Sequence, residues 1–217
     1  MTNETHPTPS PNPVEIALPK HVLRALYGAM AKGDVRYYLN HIAIDVRDEA
    51  PVLVTTNGHA MVTFTPELSP EAIADLKAIV ATCGTKDALL FAPGAKPGTS
   101  PTSLRVDPDG KVHILSSNGL WHPTEPHPAG TTYPDWRRVD AWRSPDAPWE
   151  LGTGPVGLDA GLIHAIWPGG WTIWHDPEKE GFLRALVGSG IGTSGEVPDI
   201  KVTVMGRRVD TGKKKAK

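Results

Sequence analysis

Apolar and polar positions along the chain change period several times. Residues 14–18 read as a strand, and Pro19 sits where a helix can begin without wasting an amide donor. Val22, Leu23, Leu26, Tyr27 and Met30 then recur at the spacing of one buried helical stripe, while Lys20, His21, Arg24 and Lys32 fall mostly outside it. This predicts a helix over 20–33, stopped by Gly33. Three strands are expected next, at 36–46, 52–56 and 59–65. The last two are joined by Asn57-Gly58, a pair suited to a turn whose two central residues both take positive φ.

Ser69-Pro70-Glu71 is a helix start, with Ser as N-cap, Pro in the first position and an acid facing the helix dipole. Ile73, Leu76, Ile79 and Val80 supply the buried stripe, and the helix should end near Gly84. A short apolar strand over 88–92 precedes a Pro/Gly/Ser/Thr loop, 93–103, expected to be exposed and mobile. Asp109-Gly110 and Asn118-Gly119 mark two further hairpin tips, so this part reads as an antiparallel meander. After a Pro-, Gly- and Trp-rich connection at 141–154 the opening order recurs. It consists of a strand at 155–158, Asp159 as N-cap, a short helix with Leu162, Ile163 and Ile166 on one side, and strands at 171–174, 182–187 and 200–205. The fold class is therefore α+β, antiparallel sheets with helices on one face, built from repeated strand-helix-three-strand units. The expected division is a tail at 1–13, a first unit at 14–140, the connection, a partial second unit at 155–209, and a basic tail at 210–217.

Composition narrows the chemistry. With 22 basic against 24 acidic residues in 217, the chain does not coat nucleic acid by bulk attraction, and any DNA contact must come from a local basic surface. The single cysteine, Cys83, excludes an internal disulfide framework and a thiolate metal cluster, and fits a reducing compartment. No run of about 20 apolar residues occurs, and the N-terminus lacks a secretory layout, so a soluble, cytoplasmic protein without membrane association is expected.

Nothing in the sequence argues for catalysis, a cofactor or a metal. Gly190-Ile191-Gly192-Thr193-Ser194-Gly195 matches the spacing of a dinucleotide-binding loop, but a turn and a strand follow it where a helix is required, so it reads as a hairpin loop. His113, His122, His127, His164 and His175 read as surface residues; 122–127 is a Pro-broken loop without the geometry that ligation prefers. All seven tryptophans lie in the second half, where core packing explains most of them. Trp142 and Trp149, in the connection near Arg143, keep single-strand stacking or partner binding open.

Two segments carry a family resemblance. Arg36-Tyr37-Tyr38-Leu39-Asn40 followed by Thr56-Asn57-Gly58-His59, and later Tyr133-Pro134-Asp135-Trp136-Arg137-Arg138-Val139, resemble the bacterial DNA polymerase III β subunit, the sliding clamp. The resemblance is weaker at Val202–Val209, which is similar to that family's apolar C-terminal strand and tail. It implies a DNA-clamp fold, and helices that touch duplex phosphates without reading bases, here through Lys20, Arg24 and Lys32. It also implies a pocket for short apolar peptides of a polymerase or clamp loader. Carried over residue by residue, that pocket takes Thr56, Gly58, His59 and Met61, then Pro134, Arg138 and Val139, then Val204, Met205 and Gly206. Ala60 stands where the family has Arg, and Met205-Gly206-Arg207 replaces a Met-Pro-Met tail. The family's subunits have three domains and this chain supplies about one and a half, so a ring implies a homo-oligomer of more subunits. The leading expectation is a non-enzymatic DNA-replication accessory that contacts duplex DNA and tethers replication proteins. The alternative is a clamp-fold interaction protein that binds or competes for replication and repair proteins without encircling DNA; a single-strand-binding module comes third.

Overall fold

β-Strands build most of the molecule, some half-buried with alternating positions and others buried along their whole length. The computed structural model describes residues 10–126, 132–138, 160–166, 172–175, 182–186 and 200–205. In chain order the elements are β1 (Val14–Leu18), α1 (Val22–Ala29), β2 (Ile42–Asp45), β3 (Val52–Thr56), β4 (Ala60–Phe64), α2 (Pro70–Cys83), β5 (Ala88–Ala92), β6 (Thr102–Val106), β7 (Val112–Leu115), β8 (Trp121–Pro123), β9 (Glu125–Pro126), α3 (Ala160–Ile166), β10 (Thr172–His175), β11 (Phe182–Leu186) and β12 (Ile200–Met205). They form a four-stranded sheet, β1-β6-β7-β8, and an eight-stranded sheet, β10-β11-β12-β4-β3-β2-β5-β9. Every pairing between these strands is antiparallel. The protein is thus α+β with antiparallel sheets and few helices.

The main core joins one face of each sheet to the helices. Ile16 and Leu104 from the small sheet, Ile44, Leu53 and Phe91 from the large one, Leu26 of α1, Leu76 of α2 and Ile166 of α3 belong to one buried cluster. Burying a side chain of this size contributes about 1.5–3 kcal/mol, so this cluster is what holds the sheets together. α1 and α3 pack unusually closely: a Cβ on Gly28 would lie 2.3 Å from the Ala165 carbonyl oxygen. α2 starts as its sequence predicts, with Ser69 Oγ accepting from the Ala72 amide at 3.2 Å and Pro70 in the first turn.

Several local expectations are corrected. The helix expected over 20–33 covers only Val22–Ala29. His21 precedes it at φ 71, fixed by its amide donating to Thr99 O at 2.9 Å, and Ala31 N turns away to Leu39 O at 2.9 Å. The strand expected at 36–46 begins only at Ile42, because Tyr37–Asn40 form a single 3-10 turn. Polar closure explains it: Asp34 N donates to Asn40 Oδ1 at 3.0 Å, Asn40 Nδ2 donates to Asp34 O at 2.8 Å, and the Asp34 carboxylate accepts from the Arg36 amide and guanidinium. Such side-chain bonds offer the backbone an alternative to a ladder.

In the β3–β4 turn only Gly58 takes positive φ, at 87°. Asn57 instead uses its side chain, whose Oδ1 accepts from the amides of His59 and Ala60 at 2.9 Å each, which lengthens the turn. The Pro-broken stretch after Trp121 forms β8 and β9, each at a sheet edge, where proline costs no ladder bond. The loop at 93–103 is tied down at Thr99 O, and at Pro97 O by Arg24 Nη1 at 3.2 Å. The connection, the strand expected at 155–158, the loop at 190–195 and both tails lie outside the described residues, apart from residues 10–13 at the start.

Candidate docking pocket

Strands β2 to β5 of the large sheet are buried on both faces, and the second face makes the site. Ile42 and Ile44 join the main core, while Ala43 joins a second cluster with Val52, Val54, Met61, Ala88, Leu90, Tyr133 and Trp136. Period two in the strands accounts for this sorting. A short segment, 132–138, lies across that second face. Tyr133 and Trp136 are its buried anchors, and residues 136–138 form one 3-10 turn.

Between this segment, the β3–β4 hairpin and the 3-10 turn at Tyr37–Asn40 lies a pocket of about 230 Å³. Thr56, Gly58, His59, Met61 and Pro134, named from the resemblance, all line it. The other candidates divide. Arg138 is exposed and does not line the pocket. Val204 is 2% exposed and belongs to the main core; its neighbour Thr203 takes the pocket-side position, opposite Met61 in the β12–β4 register. Val139 and Gly206 lie outside the described residues, and Met205 is described only as the last residue of β12.

Several lining residues are not among the sequence candidates. Arg36, Tyr38 and Leu39 line one side, Asp135 and Trp136 another, and Ala60 and Thr203 complete the wall. Tyr38, Leu39 and Trp136 lie inside the motifs that carry the resemblance, and Thr203 follows from strand parity, since Val204 alternates with it.

The rim is charged and its groups are engaged. Arg36 donates to both Asp34 oxygens, through Nε at 3.0 Å and Nη2 at 2.8 Å, and these bonds together with the Arg36 amide hold the Asp34 carboxyl down to about 2. The same guanidinium would lie 3.5 Å from a Cβ on Gly58, so the hairpin tip and the rim stand side by side. Behind the wall is Asp45, 1% exposed. Burial pushes its carboxyl up, but bonds from Arg47, Arg137 and the Trp136 indole outweigh that and leave it well below the usual carboxylate range. Burial also pushes the Tyr133 hydroxyl well above its ordinary value. The site offers an apolar floor with charged edges.

The basic candidates lie elsewhere. Lys20 and Lys32 are exposed on the segments flanking α1, Lys32 with its ammonium 4.7 Å from the Tyr27 ring centroid. Arg24 is partly buried and bonded to Pro97 O. Among the described residues, no group of three or more His, Cys, Asp or Glu gathers to hold a metal ion, and no helix is long and apolar enough to cross a membrane. Of the tryptophans, Trp136 is buried and Trp121 is partly buried under Arg105, 5.1 Å from its ring centroid. Trp142 and Trp149 lie outside the described residues.

No family model and no curated protein matches the chain. Among solved structures it is similar to bacterial sliding clamps. The sliding clamp (DNA polymerase III subunit beta) from Pseudomonas aeruginosa bound to griselimycin is 12% identical, with TM-score 0.43, covering 96% of this chain and 68% of that one. A second structure of the Pseudomonas aeruginosa clamp is 15% identical, with TM-score 0.37, over 96% of this chain and 70% of that one. The Caulobacter crescentus polymerase III beta structure is 17% identical, with TM-score 0.37, over 95% and 69%.

Proposed function

We propose that this chain is a non-enzymatic, clamp-like accessory of DNA replication that captures short apolar peptide segments of a polymerase or clamp loader in the pocket over the large sheet. The observation that carries this reading is the meeting of Thr56, Gly58, His59 and Met61 with Pro134, from distant segments, around one depression of about 230 Å³. That volume admits one or two apolar side chains rather than a folded domain. Their burial at about 25 cal/mol per Å², offset by the ordering of the peptide, gives micromolar affinity.

Duplex DNA is the second partner in this reading, held without sequence preference by Lys20, Arg24 and Lys32, and encircling it requires a homo-oligomer. The alternative, an interaction protein that does not encircle DNA, is favoured by one observation: Arg24 is partly buried and already bonded to Pro97 O, which leaves Lys20 and Lys32 as the exposed members of the three. Particle mass decides between the two. Light scattering of the full chain at micromolar concentration, with and without duplex DNA, should give a closed multimer if the protein encircles DNA. A strict monomer in both cases would leave the interaction protein as the remaining reading.

A further inference from the structure

The wall of the pocket is held from behind by a carboxylate that does not touch the pocket. Asp45 ends β2, and both its oxygens are saturated with donors. Arg47 Nε donates to Oδ1 at 3.2 Å and Oδ2 at 3.0 Å, and Arg47 Nη2 donates to Oδ2 at 2.5 Å. From the segment at 132–138, Trp136 Nε1 donates to Oδ2 at 2.9 Å, and Arg137 donates through Nη1 to Oδ2 at 3.0 Å and through Nη2 to Oδ1 at 3.2 Å. The same segment is tied twice more: Arg137 Nε donates to Asp48 Oδ2 at 2.9 Å, and Arg47 pairs with Asp135 at 3.4 Å. The Arg137 guanidinium also lies 4.5 Å from the Trp136 ring centroid.

Consecutive residues of the segment are therefore fastened to the end of β2 and the turn that follows it, and the buried and partly buried fastenings meet on Asp45, while those to Asp48 and from Arg47 to Asp135 are exposed. Two of them, Asp135 and Trp136, line the pocket; Asp45, Asp48 and Arg47 do not. A carboxylate buried this deeply is costly to place unless every lone pair is used, and here the donors come from both sides of the joint. We infer that Asp45 is a positioning residue that fixes the Pro134–Trp136 wall and so keeps the pocket open and shaped before a partner arrives. The inference rests on the docking reading for its purpose, but its structural half is testable without a partner.

The test compares the full-length wild type with Asp45→Asn and Trp136→Phe, using hydrogen exchange followed by mass spectrometry and a titration with a labelled apolar peptide of the kind that binds clamps. Asp45→Asn keeps an acceptor for the indole and removes the charge that orients the two arginines; Trp136→Phe keeps the ring and removes one donor. Exchange over 132–138 should rise about tenfold in Asp45→Asn, the equivalent of one charge-assisted bond, while β3 and β4 stay protected as in wild type. Unchanged exchange at 132–138 overturns the inference, and so does a rise spread evenly over β2 to β5, which makes Asp45 a general stability residue. Where the wild type binds the peptide, Asp45→Asn should weaken it about tenfold and Trp136→Phe less, and equal affinity in all three also overturns the inference. Where the wild type binds no peptide, the docking reading fails and the exchange pattern alone decides whether Asp45 positions the wall.

Discussion

Trp136 and Asp45, 91 positions apart, share a buried hydrogen bond of 2.9 Å from indole to carboxylate. That bond joins the segment resembling the clamp family's Pro-Asp-aromatic-Arg-Arg run to the end of β2, and thereby lays the wall of the pocket on the outer face of the large sheet.

The bond makes stability depend on pH with a definite sign. The folded-state pKa of Asp45 is depressed, so its contribution is complete above the unfolded value of about 3.9 and is lost as pH falls from there toward the folded value. Asp34, held down to about 2 by Arg36, acts in the same direction. Urea midpoints should therefore fall steadily below about pH 4, and Asp45→Asn should be less stable at neutral pH with a flatter acid limb. Superimposable acid limbs for the two proteins would contradict the pairing.

Gly28 is fixed by close approach rather than by backbone conformation. A Cβ there would stand 2.3 Å from Ala165 O and 2.8 Å from the Ile166 Cα, both backbone atoms of α3. Gly28→Ala should cost about 1–3 kcal/mol, the usual range for overpacking, despite alanine's better helix propensity. Thermal unfolding checks this, with Gly98→Ala as the control, since nothing lies within 4 Å of a Cβ at that loop position.

How much of this is legible in the sequence varies with the range of the interactions. Ser69, Pro70 and the stripe Ile73, Leu76, Ile79 and Val80 mark α2 because the cap and the periodicity are local, and the element is found at Pro70–Cys83. The strands at 52–56, 88–92 and 200–205 follow from short apolar runs bounded by turn residues. The turn at Tyr37–Asn40 is not legible as such: its residues favour a strand, and what overrides them is the pairing of Asp34 with Asn40 and Arg36. Five of the twelve residues that line the candidate pocket are named through the resemblance, including Met61 and Pro134. Asp45 is not, because a carboxylate at a strand end looks like an ordinary turn residue until its distant donors, Trp136 and Arg137, are in place.

If the basic residues around α1 meet duplex phosphates, affinity should fall with salt, and Lys20→Glu with Lys32→Glu should lower it at every sequence alike. Each lysine–phosphate pairing abolished by these substitutions should flatten the log–log salt dependence by about 0.9. Arg24→Gln should change the slope less, since Arg24 is partly buried and bonded to Pro97 O. A slope unaffected by the lysine pair would show these residues to be a solvated face.

The pocket itself gives the most direct test. Met61 lines it, whereas Met30 sits in the main core on the other side of the sheet. In a protein labelled at the methionine methyl groups, titration with a short apolar clamp-binding peptide should shift the Met61 resonance progressively with micromolar affinity, leave the Met30 resonance in place, and lose the effect in Pro134→Arg. A Met61 resonance that stays fixed at millimolar peptide would contradict the proposal that this depression is a docking site.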